Sequence, residues 1–323
     1  MKKWTKKKII LTVTISVAGA MVLAGAGVGI YFGTRLALRK SEGYIPTEEQ
    51  LQNAVKYDKV VIFGIDGAGQ FIRDAKTPNI DKIFKDGAIT YEAYTQFQSD
   101  SAPNWTSMLH GVGYCKHRVH NGDSGEKPFT NEKYPSIFKT HNATYPDAHY
   151  VSVANWPNIE FGIIETFDHM HKYSTGNDAT IVDTFIDAYD QYKPAISFLC
   201  FDDVDAAGHG GGRNEAYYAA ITKADERVGQ IYDYLESIND VDKTLFIVTA
   251  DHGHRLDGGH GREHEDVYLT TIGVNGKLGN IKPGKMGHAV THDIASIALY
   301  GLGLKQPDVY DGKVPYNVFN TLG

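Results

Sequence analysis

Three apolar runs in this chain each lead into an acid or an imidazole. Val60-Val61-Ile62-Phe63-Gly64-Ile65 leads into Asp66. Residues 195–201 lead into Asp202, Asp203 and Asp205, and residues 244–249 into Asp251-His252. Runs without polar alternation suit strands buried on both faces, as in a parallel sheet. A fourth run, residues 267–274, has the same character. Helical patterns are expected between these runs, over 79–85, 179–192, 215–238 and 292–299. The alternation predicts an α/β fold with a mostly parallel central sheet flanked by helices on both faces. Ligands of open α/β sheets bind at the carboxyl ends of the strands. Three strands would therefore deliver polar groups to one edge, which a scatter of solvated loop aspartates does not explain.

The polar groups have metal-ligand spacing. Asp205 and His209 are four residues apart and share a face on a helical turn. Asp251-His252 places two ligand types side by side, and Asp257-Gly258-Gly259-His260-Gly261 adds a histidine in a flexible loop. Mixed oxygen and nitrogen donors suit zinc, manganese, iron or cobalt better than magnesium or calcium. There are donors enough for two ions. His254 and His264 compete with His260, which is preferred for its flanking glycines. His141, His149, His169, His171, His288 and His292 fall in no ligand-like cluster and read as surface or core histidines. The only two cysteines, Cys115 and Cys200, exclude a disulfide framework or a cysteine cage.

The segment from Ser101 to Gly111 reads as a helix start, with Pro103 suited to the first helical position. Ser101 would sit by the exposed N–H groups, either as a nucleophile or only as an N-cap. A helix terminus supplies about 0.3–1 kcal/mol, too little to activate a serine hydroxyl. A bound cation does far more, since zinc lowers the pKa of water from about 15.7 to about 7. If Ser101 attacks anything, the Asp/His cluster must converge on it.

The N-terminus carries a separate signal. Five lysines within residues 1–8 precede an uncharged stretch over 9–33. Its length passes the roughly 20 residues needed to span a bilayer and exceeds the usual signal-peptide core. We expect a cytoplasmic basic segment (1–8), one transmembrane signal anchor (9–33), a linker (34–56) and a catalytic domain (57–323) outside the cytoplasm. Cleavage near Ala26, releasing a secreted protein, is the alternative. Residues 1–40 hold eight of the 32 Lys/Arg and no Asp/Glu, leaving 24 basic against 39 acidic residues in the remainder. So acidic a body is not expected to coat a nucleic acid polymer.

These residues together resemble the alkaline phosphatase superfamily, and within it the type I phosphodiesterase/nucleotide pyrophosphatase branch. The likeness spans most of 58–305. It is carried by residues 60–67, Thr77-Pro78-Asn79, the Ser101 to Gly111 segment, Asp205-Ala-Ala-Gly-His209, Thr249-Ala-Asp-His-Gly253 and Gly258-Gly-His-Gly261. The resemblance implies two zinc ions, with manganese as the alternative. One would be held by Asp66, Asp251, His252 and Ser101, the other by Asp205, His209 and His260. Ser101 would attack phosphorus and form a phosphoserine, with Asn121 near the family's phosphate-binding asparagine. The expected substrate is a small-molecule phosphate ester.

The chain departs from that pattern in places. The nucleotide pyrophosphatases commonly use Thr where Ser101 stands, and their last zinc histidine lies far towards the C-terminus, where no histidine follows His292 here. Three alternatives accompany the hydrolase: a sulfatase-like enzyme, a phosphoethanolamine-transferase-like enzyme and a noncatalytic binding protein on the same scaffold. Trp105, where sulfatases need an arginine, opposes the first. A single span opposes the second, and the retained nucleophile opposes the third.

Overall fold

The computed structural model describes residues 37–124, 132–261 and 264–320. The chain divides into two compact units, 1–40 and 41–323. The expected basic segment and membrane anchor lie outside the described residues. Among those described, no helix is long and apolar enough to cross a membrane. Within the stretch expected to be a linker, Tyr44 bridges to Val314 and Glu48–Asn53 forms a helix. Thr47 closes that helix with a capping box, and Leu51 is buried in the core.

Eight strands form one sheet in the order β4-β3-β5-β1-β6-β7-β2-β8. They are β1 (Lys59–Ile65), β2 (Ala88–Tyr94), β3 (Tyr150–Ala154), β4 (Met170–Ser174), β5 (Ile196–Phe201), β6 (Thr244–Thr249), β7 (Leu269–Asn275) and β8 (Gly284–Lys285). The centre of the sheet is parallel, with Val60 beside both Ile196 and Leu245. The fourth apolar run does form a strand, β7, but it runs antiparallel to β6 and β2. A parallel return would need a crossover to the opposite edge. The chain instead loops back over 250–268 and re-enters the sheet at the edge it left. Periodicity carries no information about strand direction, so this reversal is invisible in the pattern.

Alternate residues of each central strand feed two separate cores. Val60 and Ile62 pack on one face with α2 (Ser101–His110) and α6 (Asp293–Gly301). Val61, Phe63 and Ile65 pack on the other face with α1 (Pro78–Phe84), α3 (Ile181–Tyr192) and α5 (Glu215–Ser237). Each fully buried Val, Ile or Phe contributes about 1.5–3 kcal/mol. That double-sided burial holds the strand ends in fixed register, and the polar groups beyond them inherit it.

Candidate metal centre

Asp66 is the first residue past β1, and its N–H donates to Phe201 O at 2.8 Å. Trp105 Nε1 donates to Asp66 Oδ2 at 2.9 Å, leaving Oδ1 buried with no hydrogen-bond partner. Asp251 repeats the arrangement beyond β6. Gly67 N–H donates to its Oδ1 at 3.0 Å, and its Oδ2 is buried without a partner. His252 Nε2 lies 3.3 Å from Asp251 Oδ2, 3.6 Å from Asp66 Oδ1 and 3.2 Å from Ser101 Oγ.

Ser101 is the first residue of α2, and Asp100 is its extended N-cap. The helix therefore starts two residues before the expected point, and Pro103 stands at the third position. Proline is tolerated there because the first-turn N–H groups have no partner within the helix. Asp100 does not cap the helix with its side chain. Its Oδ1 lies 3.3 Å from His260 Nδ1, and Ser99 O is equally close to that nitrogen. His260 Nε2 is thereby turned towards Asp205 Oδ1 (3.7 Å) and His209 Nε2 (3.0 Å). Asn121 sits beside Ser101, its Oδ1 accepting from Ala102 N–H at 2.8 Å.

The second half of the centre stands on α4 (Asp203–Gly211). Buried Asp178 accepts from the N–H groups of Asp202 and Asp203, and Arg227 Nη1 ties it to Asp203. As expected of their spacing, Asp205 Oδ2 and His209 Nε2 meet, at 3.4 Å. Gly67 has φ +74°, and a Cβ there would come within 2.8 Å of Asp205 Cα, so only glycine allows this approach. A Cβ on Gly208 would strike the ring of His254, whose Nε2 is 2.8 Å from Asp205 Oδ1.

The structure thus brings Asp66, Ser101, Asp205, His209, Asp251, His252 and His260 together, with Asn121 alongside. His264 lies apart from the grouped donors, its Nδ1 accepting from Asp266 N–H. Donor atoms of Asp66, Asp251 and His252 lie within 4.8 Å of one another, as do those of Asp205, His252, His254 and His260. A third such group is Asp66, Asp202 and Asp205. Asp100 and Trp105 are participants that the sequence reading did not place, while His254, weighed there as a competitor of His260, joins it in the same group. For His254 the available signal was its spacing of two from His252.

Electrostatics shows what this cluster lacks. Burial, then repulsion from Asp251, Asp205 and Asp202, pushes Asp66 well above the carboxylate range. Burial pushes Asp251 up to about 7. Burial opposes ionisation of Asp205 too, yet the His254 hydrogen bond and the charges of His252, His254 and His260 hold it low. Burial drives His252 well down and His254 down. His260 resists burial, and its bond to Asp100 and the surrounding carboxylates raise it. Unpartnered carboxylate oxygens facing imidazole nitrogens are a donor set that fits divalent cations of mixed oxygen and nitrogen preference.

Among the remaining histidines, His141 meets Tyr150 Oη at 2.8 Å, and His292 lies between Ser41 Oγ and Gln96 Nε2. Both are satisfied core residues, as expected. His149, His169 and His171 are not scattered, because β3 and β4 bring them side by side.

The type I phosphodiesterase / nucleotide pyrophosphatase family matches residues 60–257. A GPI ethanolamine phosphate transferase 1 from Yarrowia lipolytica is 28% identical over 188 residues, covering 48% of this chain and 20% of that protein. The chain thus matches about a fifth of the length of that curated relative. An inactive form of murine ectonucleotide pyrophosphatase / phosphodiesterase 5, solved in complex with AMP, superimposes with TM-score 0.65 at 15% identity. That match covers 77% of this chain and 96% of the murine one. The phosphonate monoester hydrolase of Agrobacterium radiobacter gives TM-score 0.61 at 14% identity, covering 79% and 76%. The family's span takes in the first strand, the Ser101 helix and the Asp205 and Asp251 loops: the chain belongs to the type I phosphodiesterase / nucleotide pyrophosphatase family.

Proposed function

We propose that this chain hydrolyses small-molecule phosphate esters by in-line attack of Ser101 on phosphorus. The observation that carries the reading is the placement of Ser101 Oγ at a helix N-terminus, 3.2 Å from His252 Nε2. The unpartnered oxygens of Asp66 and Asp251 belong to the same cluster. Asp66, Asp251, His252 and Ser101 would hold one divalent cation; Asp205, His209 and His260, joined by His254, would hold the other. Zinc is the first expectation and manganese the second. Bound there, the cations would supply positive charge that favours the ionised serine and offsets the charge of the phosphate.

The chain's own groups do the rest. The first-turn N–H groups of α2 favour an anion in front of Ser101. Asn121 fixes the approach by holding Ala102 N–H. Attack forms the Oγ–P bond and breaks the ester P–O bond, and the leaving oxygen takes up a proton. Water then attacks the phosphoserine, the Oγ–P bond breaks, and the hydroxyl regains its proton. The apolar stretch over 9–33, behind its five lysines, supports a membrane-anchored enzyme working outside the cytoplasm.

The likeness to an ethanolamine phosphate transferase favours a second reading, in which an alcohol replaces water as acceptor. Product analysis with a chromogenic phosphodiester separates the two. Release of the phosphomonoester by water as the dominant product supports the hydrolase, whereas transfer to an added alcohol that far outpaces it rejects that reading. No turnover of any phosphate ester by the metal-loaded chain would reject both.

A further inference from the structure

We propose that His149, His169 and His171 form a transition-metal site at the amino edge of the sheet, opposite the edge that carries the Asp/His centre. His149 immediately precedes β3 and His169 immediately precedes β4, while His171 is the second residue of β4. The two strands are parallel, with Tyr150 opposite Met170 and Val151 opposite His171. Tyr150 N–H donates to His169 O at 2.9 Å, which places the backbones of the three histidines side by side.

Two of the three rings already offer nitrogens at close to ligand spacing. His149 Nδ1 and His171 Nε2 are 3.0 Å apart. A tetrahedral zinc with nitrogen ligands at 2.0–2.1 Å sets its ligand nitrogens about 3.3 Å apart, so a shift of a few tenths of an ångström admits the ion. The His169 ring lies 4.6 Å from that of His149, nearly perpendicular to it. The nitrogens of the three rings do not all lie within 4.8 Å of one another, so His169, which is exposed, would complete the site by turning its side chain onto the ion that the other two hold. Its φ of +69° is a conformation that few residues other than glycine adopt. Tyr192 stacks on His171 at 3.5 Å and fixes that ring.

A further feature favours a cation here. Tyr192 is the last residue of the twelve-residue helix α3, so the negative end of that helix faces the cluster. An all-imidazole set with no carboxylate selects zinc, copper or nickel and rejects magnesium and calcium. The ion would join β4, the edge strand, to β3 and so stiffen an otherwise one-sided strand.

The test compares the full-length, metal-stripped chain with its His169→Gln/His171→Gln variant by equilibrium dialysis against Zn2+, reading bound metal per chain. The parent is expected to bind one equivalent more than the variant, with phosphate-ester turnover equal in the two. Equal stoichiometry overturns the proposal. The readout is a difference between parent and variant, so it stands whether or not the centre at the other edge binds metal. If circular dichroism shows the double variant misfolded, His169→Gln alone replaces it, since its exposed side chain supports no core. That single variant must then lose zinc to a competing chromophoric chelator at a lower chelator concentration than the parent. Parental resistance to the chelator overturns the proposal as well.

Discussion

Asp100 Oδ1 lies 3.3 Å from His260 Nδ1, so the residue just before Ser101 also orients a donor from a loop more than 150 positions away. A carboxylate on one ring nitrogen fixes which nitrogen is offered to a metal, and losing such a partner typically costs 10–100-fold in metal affinity or activity. Asp100→Asn is therefore expected to weaken zinc binding about tenfold or more. The melting curve of the metal-free protein should hardly move. Zinc competition titrations check this, and unchanged affinity would remove Asp100 from the positioning role.

Ser101→Ala should leave fold and metal content intact while lowering turnover by about 10⁴- to 10⁶-fold, up to the scale on which deletion of a serine nucleophile acts. Initial rates on the metal-loaded variant decide the matter. Near-parental turnover would mean that another group, or water directly, attacks phosphorus.

His254→Gln should lower metal occupancy, because its Nε2 is 2.8 Å from Asp205 Oδ1. His264→Gln should not, because that ring is engaged with Asp266. Elemental analysis after dialysis distinguishes them. The reverse pattern would move the centre's boundary along the loop.

Chelation should lower the melting temperature as well as abolish activity. The acids of the centre are crowded enough that burial and mutual repulsion raise Asp66 and Asp251. A cation that binds only the folded state stabilises it by mass action. A scan with and without chelator checks the sign, and a melting temperature unaffected by metal would count against any tight site.

Glu160 predicts a pH effect away from the centre. It is fully buried, accepts from Ser152 Oγ at 2.6 Å, and burial raises its pKa from 4.5 to about 8. The folded state then holds a proton that the unfolded state releases above pH 4.5. Its contribution is fully present below that pH and is lost as pH rises towards about 8. Glu160→Gln should flatten the stability profile across this window, removing a pH-dependent term of roughly a few kcal/mol. Denaturant midpoints between pH 5 and pH 9 test it, and parallel profiles for parent and variant would refute the assignment.

The legible parts of this fold are those whose residues act alone. β1, β5 and β6 are buried on both faces, so their apolar runs stand out. β2 and β4 are half-exposed and β8 is two residues long, which leaves little pattern to read. β3 is fully buried, yet Ser152 interrupts it because that hydroxyl serves Glu160. In the centre, the residues at strand ends and the Asp205/His209 pair followed from local spacing. His254 did not, because its place depends on room left by Gly208 on another element. The histidines of the amino edge were equally hidden, since strand pairing and not sequence distance makes them neighbours.

The reversal of β7 leaves the 250–268 return open to changes of length between its ligands. It departs from and rejoins the sheet on one rim, so residues can be inserted or exchanged within it without rethreading any strand. Asp251, His252, His254 and His260 ride on this return, while Asp66 and Asp205 are rooted in the parallel framework. A lineage could reshape what the centre accepts by editing one loop, leaving half of its ligands and the whole sheet order untouched.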